Sequence, residues 1–191
     1  MKKQRCWWCG EDPLYVIYHD EEWGVPVRDD DKLFEFLTLE TFQAGLSWIT
    51  ILRKRENFRK AFDEFNYQKI ATYSEAKIEQ LLQDPGIIRN KLKVRATVSN
   101  AKAYLEVQKE FGSFSNYIWS FIEGVPIQNS FKSKEEVPAN TPLSDRISAD
   151  LKKRGFKFVG STVVYAHMQA TGMVNDHLTD CFRHSEVQKI R

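Results

Sequence analysis

The residues with the most chemical potential lie near the two ends of the chain and around position 40. Cys6 and His19 stand near the start, and His177 and Cys181 near the finish. Two thiols and two imidazoles suit a closed, tetrahedral zinc site. Such a site would clip the terminal segments together and leave no open coordination position for water, so its role would be structural. His177 and Cys181 are spaced i, i+4, which one helical turn would bring to one face. Cys9 competes as a ligand, because Cys6-Trp7-Trp8-Cys9 is a CxxC. His167 and His184 are further imidazoles, although a histidine on a helix is more often a packing residue with its hydrogen bonds made. A hydrolytic zinc would need the open position that four protein ligands deny it. A redox role for the CxxC finds no βαβ pattern around it.

The second constellation is a carboxylate among rings. Glu40 falls at the helical step between Leu37 and Ala44 on an apolar stripe that begins with Leu33 and Phe36. A carboxylate on such a stripe is costly unless something pairs with it. It either turns to water at the stripe's edge or lines a pocket as a buried acceptor. Aromatic residues flank it in sequence: Tyr15, Tyr18 and Trp23 before, Trp48 after. Tyr15 and Tyr18 are i, i+3 and can share a helical face. The chain holds five tryptophans, Trp7, Trp8, Trp23, Trp48 and Trp119, and its aromatic content is 13%. So much indole serves either a packed core or a stacking platform for a flat ligand.

These groups need a scaffold, and helical signals dominate it. Asp29 to Asp31 cap a helix through KLFEFLTLETFQAG, which Gly45 ends or bends. A second starts near Ser47, with Ile51, Leu52, Phe58 and Phe62 facing inward. Thr72 and Glu75 stand in capping-box relation before EAKIEQLL, and Asp84-Pro85-Gly86 stops that helix. The next begins within IIRNKLKVRATVSNAKAYLEVQ, so residues 74 to 109 form a helix, a hairpin and a helix. The hinge is either an ordinary turn between helices or a grip on a phosphate: glycine permits close backbone approach, and the amides after it lead into a helix N-terminus that favours anions. Residues 122 to 143 read as a long loop with three prolines. Ser144 or Asp145 caps a helix that Gly155 stops, and Gly160-Ser161-Thr162 opens a last long helix ended by Gly172. The fold class is all-α.

Composition sets the bounds. The chain has 191 residues, 42% of them apolar, enough for one domain with a proper core. The net charge of +2 says little about nucleic acid, but the basic residues cluster. Residues 53 to 60 hold five bases and one acid, residues 89 to 95 four bases, and residues 152 to 157 another four. Each run fits a solvated helix face; together they fit a phosphate-facing side. The start, MKKQRCWWCG, lacks the apolar region of a signal peptide, and no apolar run reaches membrane-spanning length. A cytoplasmic protein without a membrane partner is expected. Three cysteines in a reducing compartment argue for metal ligation or burial rather than disulfides.

Several segments closely resemble the bacterial 3-methyladenine DNA glycosylase I family: RCWW, DPLYVIYHDEEWGVP, QAGLSWITIL, DPGIIRNKLK, WSF, LKKRGFKFVG, and VNDH with a cysteine four residues on. They span nearly the whole chain. The resemblance implies a single glycosylase unit over residues 1–191, with a helix-hairpin-helix core and zinc-clipped terminal segments 1–25 and 170–185. It implies a zinc ion held by Cys6, His19, His177 and Cys181, with Cys9 left over. It makes Glu40 the base-recognising glutamate and Trp48 the stacking tryptophan, with Tyr15, Tyr18, Trp8 and Trp23 as the other pocket walls. Leu46 would lie near the gap left by a flipped nucleotide. Gly86 and its neighbours, Arg89 among them, would grip the DNA backbone.

The activity implied is release of N3-methyladenine from alkylated double-stranded DNA by a monomer, leaving an abasic site and free 3-methyladenine. Many members of the wider superfamily use an aspartate after the hairpin, yet no Asp occurs between Asp84 and Asp145, and no lysine stands out as a Schiff-base nucleophile. Both absences agree with a glycosylase without lyase activity. The N3-methylated nucleotide is already cationic, so no general acid is needed. An ionised Glu40 would favour that cation.

Overall fold

The computed structural model describes residues 3–190. It is built around one helix that is buried on every side. Helix α2 (Asp30–Gln43) starts where the Asp29 side chain accepts from the Lys32 amide, and Leu33, Phe34, Phe36, Leu37, Thr38, Leu39, Glu40, Thr41 and Phe42 are all buried. The single stripe read from sequence is therefore too narrow: Ala44 is the exposed C-cap rather than the stripe's end. A helix buried on all faces belongs at the centre of a bundle, and α2 packs against helices from several parts of the chain.

Before it lie α1 (Pro13–Ile17) and a π-helical turn, Tyr18–Glu22. After it come α3 (Trp48–Ala61), the short α4 (Tyr67–Ile70), α5 (Glu75–Gln83) and the long α6 (Lys91–Phe111). The C-terminal part adds α7 (Phe114–Ser120), α8 (Pro142–Lys153), α9 (Ser161–Ala170) and α10 (Phe182–Val187). α3, α6, α7 and α9 surround α2, while α4 and α5 lie on α6, and α8 lies on α9. Among the described residues the only strands are β1 (Ile127–Gln128) and β2 (Val174–Asn175), a two-residue parallel pair. The pair lies inside the long loop expected over 122 to 143 and in the segment before His177, and it ties the two together. Among the described residues no helix is long and apolar enough to cross a membrane.

Two caps differ from the sequence reading. Ser74, not Thr72, caps α5, its side chain accepting from the Lys77 amide. Thr141, not Ser144 or Asp145, caps α8, because Pro142 at the first helical position moves the start forward. Ser144 becomes the third residue of a reciprocal capping box. The α9 helix does stop before Gly172, but it is followed by α10. At Gly172, φ is +66°, and a Cβ would lie 2.4 Å from the Pro26 nitrogen and the Val25 carbonyl carbon, so only glycine fits there.

The turn between α5 and α6 is held from both sides. Asp84 Oδ1 accepts from the Gly86 amide at 2.7 Å, and Lys54 donates to the Pro85 and Gly86 carbonyls. A Cβ at Gly86 would meet Asp84 Oδ1 at 2.9 Å and Asn57 Cβ at 3.1 Å, so glycine lets the turn close onto α3. Ile87 anchors it in the core, and Arg89 is exposed.

Candidate active site

α2 carries Glu40 into a cavity of about 260 Å³. That volume lies just under the range of about 300–1,000 Å³ typical of small-molecule sites and suits one flat ring system. Its walls include Trp7, Trp8, Tyr15, Tyr18, Trp23 and Trp48. The rings of Trp8 and Tyr15 lie 5.0 Å apart between centroids, Trp8 and Trp23 4.9 Å, Tyr18 and Trp48 5.6 Å, and Tyr15 and Tyr18 6.5 Å. These are the spacings of mutually packed aromatic rings. All six pocket residues named from the sequence thus come together in one place.

Local structure explains how. Asp12 caps α1 by accepting from the Leu14 amide, and α1 presents Tyr15. The helix then widens to the π-turn, whose closing bond runs from the Trp23 amide to the Tyr18 carbonyl at 3.0 Å. This places Tyr18 toward Trp48 and lets His19 face the opposite way. Trp48 is the first residue of α3, directly after the Ala44-to-Ser47 turn. Gly45 holds φ at +83° in that turn, and Leu46 stands 40% exposed.

Glu40 is 4% exposed, and its Oε2 meets no hydrogen-bond partner. Burial alone pushes its carboxyl up to about 8. Surrounded by rings and without a protein cation, the carboxyl favours its protonated form, and the ionised Glu40 expected from the sequence requires a cation brought by a ligand. Trp48 Nε1 is a second buried group without a partner, and the Tyr15 hydroxyl is pushed up to about 12 by burial. The cavity offers rings for stacking and polar atoms that wait for a ligand.

Behind the Trp8 and Trp23 walls sit Cys6, His19, His177 and Cys181, all buried, with one ligand atom each and all four atoms within 4.8 Å of one another. Cys6 Sγ lies 3.5 Å from His177 Nδ1, Cys181 Sγ 3.5 Å from His19 Nε2, and Cys181 Sγ 3.6 Å from His177 Nδ1. The group could hold a metal ion. Its outer contacts fix both imidazoles. His19 Nδ1 faces Asp20 Oδ1 at 2.8 Å, and Asp20 is also held by Arg5. His177 Nε2 donates to the Trp23 carbonyl at 3.0 Å. Histidine ligands are commonly oriented through the second ring nitrogen in this way. Gly24 leaves room for that ring, since a Cβ there would lie 3.0 Å from His177 Nε2.

Cys9 is buried but lies outside the group, with its thiol on the Gly10 carbonyl. His167 meets the Leu33 carbonyl in the core and is pushed down to about 4 by burial; His184 meets the Asn129 carbonyl. One detail of the sequence reading fails. His177 and Cys181 do not share a helical turn: they flank a tight turn closed by the Cys181 amide on the Leu178 carbonyl. Their i, i+4 spacing brings the side chains together by that route instead.

Five of the six arginines in the basic runs meet acids. Arg53 pairs with Asp12, Arg55 with Glu22, Arg59 with Glu35, Arg95 with Glu75, and Arg154 with Glu110 and Asp150. Lys93 turns inward. At 7% exposure it donates to the Phe42 and Ala44 carbonyls at the end of α2, where a cation complements the helix dipole.

The comparisons with known proteins fall on this architecture. Residues 8–184 match the family model of the methyladenine glycosylases. The chain belongs to the methyladenine glycosylase family. It is 49% identical to DNA-3-methyladenine glycosylase 1 of Escherichia coli (strain K12) over 93% of this chain and 95% of that one. A crystal structure of a 3-methyladenine DNA glycosylase I superposes with a TM-score of 0.91 at 52% identity, covering 94% of this chain and 98% of that one. A tyrosine-to-phenylalanine variant of such an enzyme, crystallised in complex with 3-methyladenine, gives a TM-score of 0.91 at 36% identity, covering 93% and 96%. The family is one of enzymes, and this glycosylase shares its mostly helical fold.

Sequence reasoning missed several walls of the glycosylase pocket. Trp7 was noted only as surplus indole, and Gln43, Val137, Pro138, Ala166 and Gln169 carried no signal. Val137 and Pro138 come from the loop before α8.

Proposed function

We propose that this glycosylase flips N3-methyladenine out of alkylated double-stranded DNA and releases it by hydrolysis, leaving an abasic site in an uncut strand. The observation that carries the reading is Glu40: a buried carboxyl without a partner, raised to about 8, in an aromatic-walled cavity. A ligand that satisfies it is flat, cationic and rich in N–H donors. An N3-methylated adenine nucleotide has all three properties, and undamaged adenine lacks the charge. The 3-methyladenine complex of a similar enzyme supports the same ligand.

On this reading the cationic base displaces the Glu40 proton, and the carboxylate accepts N–H bonds from the base edge. Flipping costs a few kcal/mol, least for a damaged base. Stacking on Trp48 returns about 1–3 kcal/mol, and a cation over indole adds roughly 0.5–2 kcal/mol. Tyr15, Tyr18, Trp8 and Trp23 enclose the ring. The C1′–N9 bond then breaks with its electron pair going to the base, which leaves neutral. Water adds to C1′ and gives its proton to solvent. No acid has to protonate the leaving group. Strand cleavage through a lysine Schiff base finds no support at Lys93, whose ammonium is held on two carbonyls.

The remaining roles follow the architecture. Leu46 occupies the gap left by the flipped nucleotide, and the turn with Gly86 and Arg89 grips the backbone without reading sequence. The metal is zinc. A tetrahedron with arms of about 2.0–2.3 Å has edges of about 3.3–3.8 Å; three of the six ligand-to-ligand distances, at 3.5–3.6 Å, fall inside that range, and all six lie within 4.8 Å. With four protein ligands it is structural, joining segments 1–25 and 170–185 of one unit. We read the enzyme as a cytoplasmic monomer acting at the nucleoid. The test is base release from methylated duplex DNA, with products identified chromatographically, for wild type and Glu40→Gln. Free N3-methyladenine from the wild type, an uncut strand, and a loss of about tenfold or more in the variant are expected. No release by folded, metal-loaded wild type would leave a DNA-binding fold without this reaction.

A further inference from the structure

Gln169 is half-buried on α9 and lines the cavity. It is fixed at both ends. Its backbone carbonyl accepts from the Gly24 amide at 3.1 Å, next to the Trp23 wall. Its side-chain Nε2 donates to Asp176 Oδ2 at 2.8 Å. Asp176, fully buried in the VNDH segment, accepts two more bonds: the Tyr165 hydroxyl on the same oxygen at 2.7 Å, and Asn129 Nδ2 on Oδ1 at 2.7 Å. Three donors converge on two carboxylate oxygens, so this group acts only as an acceptor. The Gln169 amide cannot turn over without setting its carbonyl against a carboxylate. Its free end is therefore Oε1, and among the described residues no protein donor meets that oxygen.

We infer that Gln169 is a specificity residue, whose fixed carbonyl oxygen accepts an N–H from the exocyclic amine of the flipped base and selects N3-methyladenine against N3-methylguanine. The inference rests on the reading proposed above and adds the choice between the two purines. Adenine carries an amine at position 6, and guanine carries a carbonyl there. The amine's two N–H groups serve two acceptors, Glu40 and Gln169. A guanine carbonyl in the same place would face the Gln169 lone pairs and receive no hydrogen bond from that side chain. Sites that hydrogen-bond an N–H discriminate strongly against the analogue lacking it, because their own polar groups are left unpaired. Asp176 acts through Gln169 as a positioning residue, the acceptor that fixes its amide.

The test measures release of both bases from methylated DNA by wild type, Gln169→Met and Tyr165→Phe. Met fills similar volume without an acceptor. Tyr165→Phe disturbs the same network but leaves the Asp176 bond to Gln169. The preference for N3-methyladenine should fall about tenfold or more in Gln169→Met, through slower adenine release, and stay at the wild-type ratio in Tyr165→Phe. An unchanged ratio in Gln169→Met, with an active wild type, overturns the inference. An inactive wild type would instead overturn the function proposed for the site. A second readout needs no variant: in 15N-labelled wild type, 3-methyladenine should shift the Gln169 side-chain amide resonances and 3-methylguanine at equal concentration should not. Equal shifts from both bases, or none from 3-methyladenine that does bind, would also overturn it.

Discussion

Replacing Glu40 by glutamine should stabilise the protein while disabling it, and the stabilisation should depend on pH. The carboxyl sits at about 8 in the folded chain because burial opposes its charge, against an ordinary glutamate value of about 4.3–4.5 when unfolded. Below the unfolded value both states hold the proton, and the side chain is neutral throughout. As pH rises toward 8 the unfolded state gives up its proton and the folded state keeps it, so stability falls by about 1.4 kcal/mol per pH unit. The loss reaches roughly 3 kcal/mol at pH 7 and about 5 kcal/mol above pH 8. Glutamine carries no such dependence, but its amide brings two N–H donors where the protonated carboxyl, itself without a partner, brings one O–H, and the additional unpaired donor costs about 1–3 kcal/mol. Glu40→Gln should therefore be the less stable protein near pH 5 and the more stable by about 1–2 kcal/mol at pH 7, which raises Tm by a few degrees in a chain of this size. Urea unfolding of both proteins at pH 5, 6, 7 and 8 reads the difference directly, and titration of every other group cancels between them. Parallel stability curves would refute the argument, because they would mean that Glu40 is not a buried carboxyl without a partner.

Two further outcomes test the clip and the wedge. Removing the proposed zinc should lower Tm and shift tryptophan emission, because the Trp8 ring lies 5.2 Å from His19 and the Trp23 ring 4.6 Å from His177. The stabilisation lost is about 4 kcal/mol with free metal at 1,000 times its Kd, and a stripped protein with native emission and Tm would contradict a structural role. Leu46→Ala should slow release from duplex DNA about tenfold and leave the affinity for free 3-methyladenine unchanged, as measured by fluorescence titration; equal losses in both would place Leu46 in the pocket wall instead of the DNA gap.

The sequence was most legible where chemistry is scarce and costly. A carboxylate in helical phase with Leu33, Phe36 and Leu37 has few uses, so Glu40 stood out, and four soft ligands at the chain ends marked the clip although their local backbone was misread as a helix. Less of the pocket was visible where residue types are common. Gln169, Val137 and Pro138 line it only because α9 and the loop before α8 fold back over α2, and such long-range contacts leave no periodicity. Two caps moved by two or three residues because serine and threonine stood near each boundary and Pro142 fixed one start. The basic runs misled in part, because charge counted along a chain does not say which acids a folded surface brings opposite. Arg55, Arg59, Arg95 and Arg154 all meet carboxylates from other helices.

Lys93 shows what such a residue does when it is not a phosphate ligand. It belongs to the first turn of α6, directly after the hairpin, and its ammonium holds the last carbonyls of α2, two residues before Leu46 and within a turn of Glu40. Burial lowers its pKa, yet the two carbonyls it bonds lie at the negative end of a helix, where a cation is favoured. One side chain thereby fixes the spacing between the turn proposed to grip the backbone, the residue proposed to fill the gap and the carboxyl proposed to receive the base. The two thiols and two imidazoles of the terminal segments do the same on the other wall, where Cys6, His19 and His177 each lie within two residues of a pocket ring or bond to its backbone. On the proposed function the leaving base already carries positive charge, so rate depends on holding it in a dry, shaped cavity more than on acid or base groups. The fold spends its unusual residues on that rigidity.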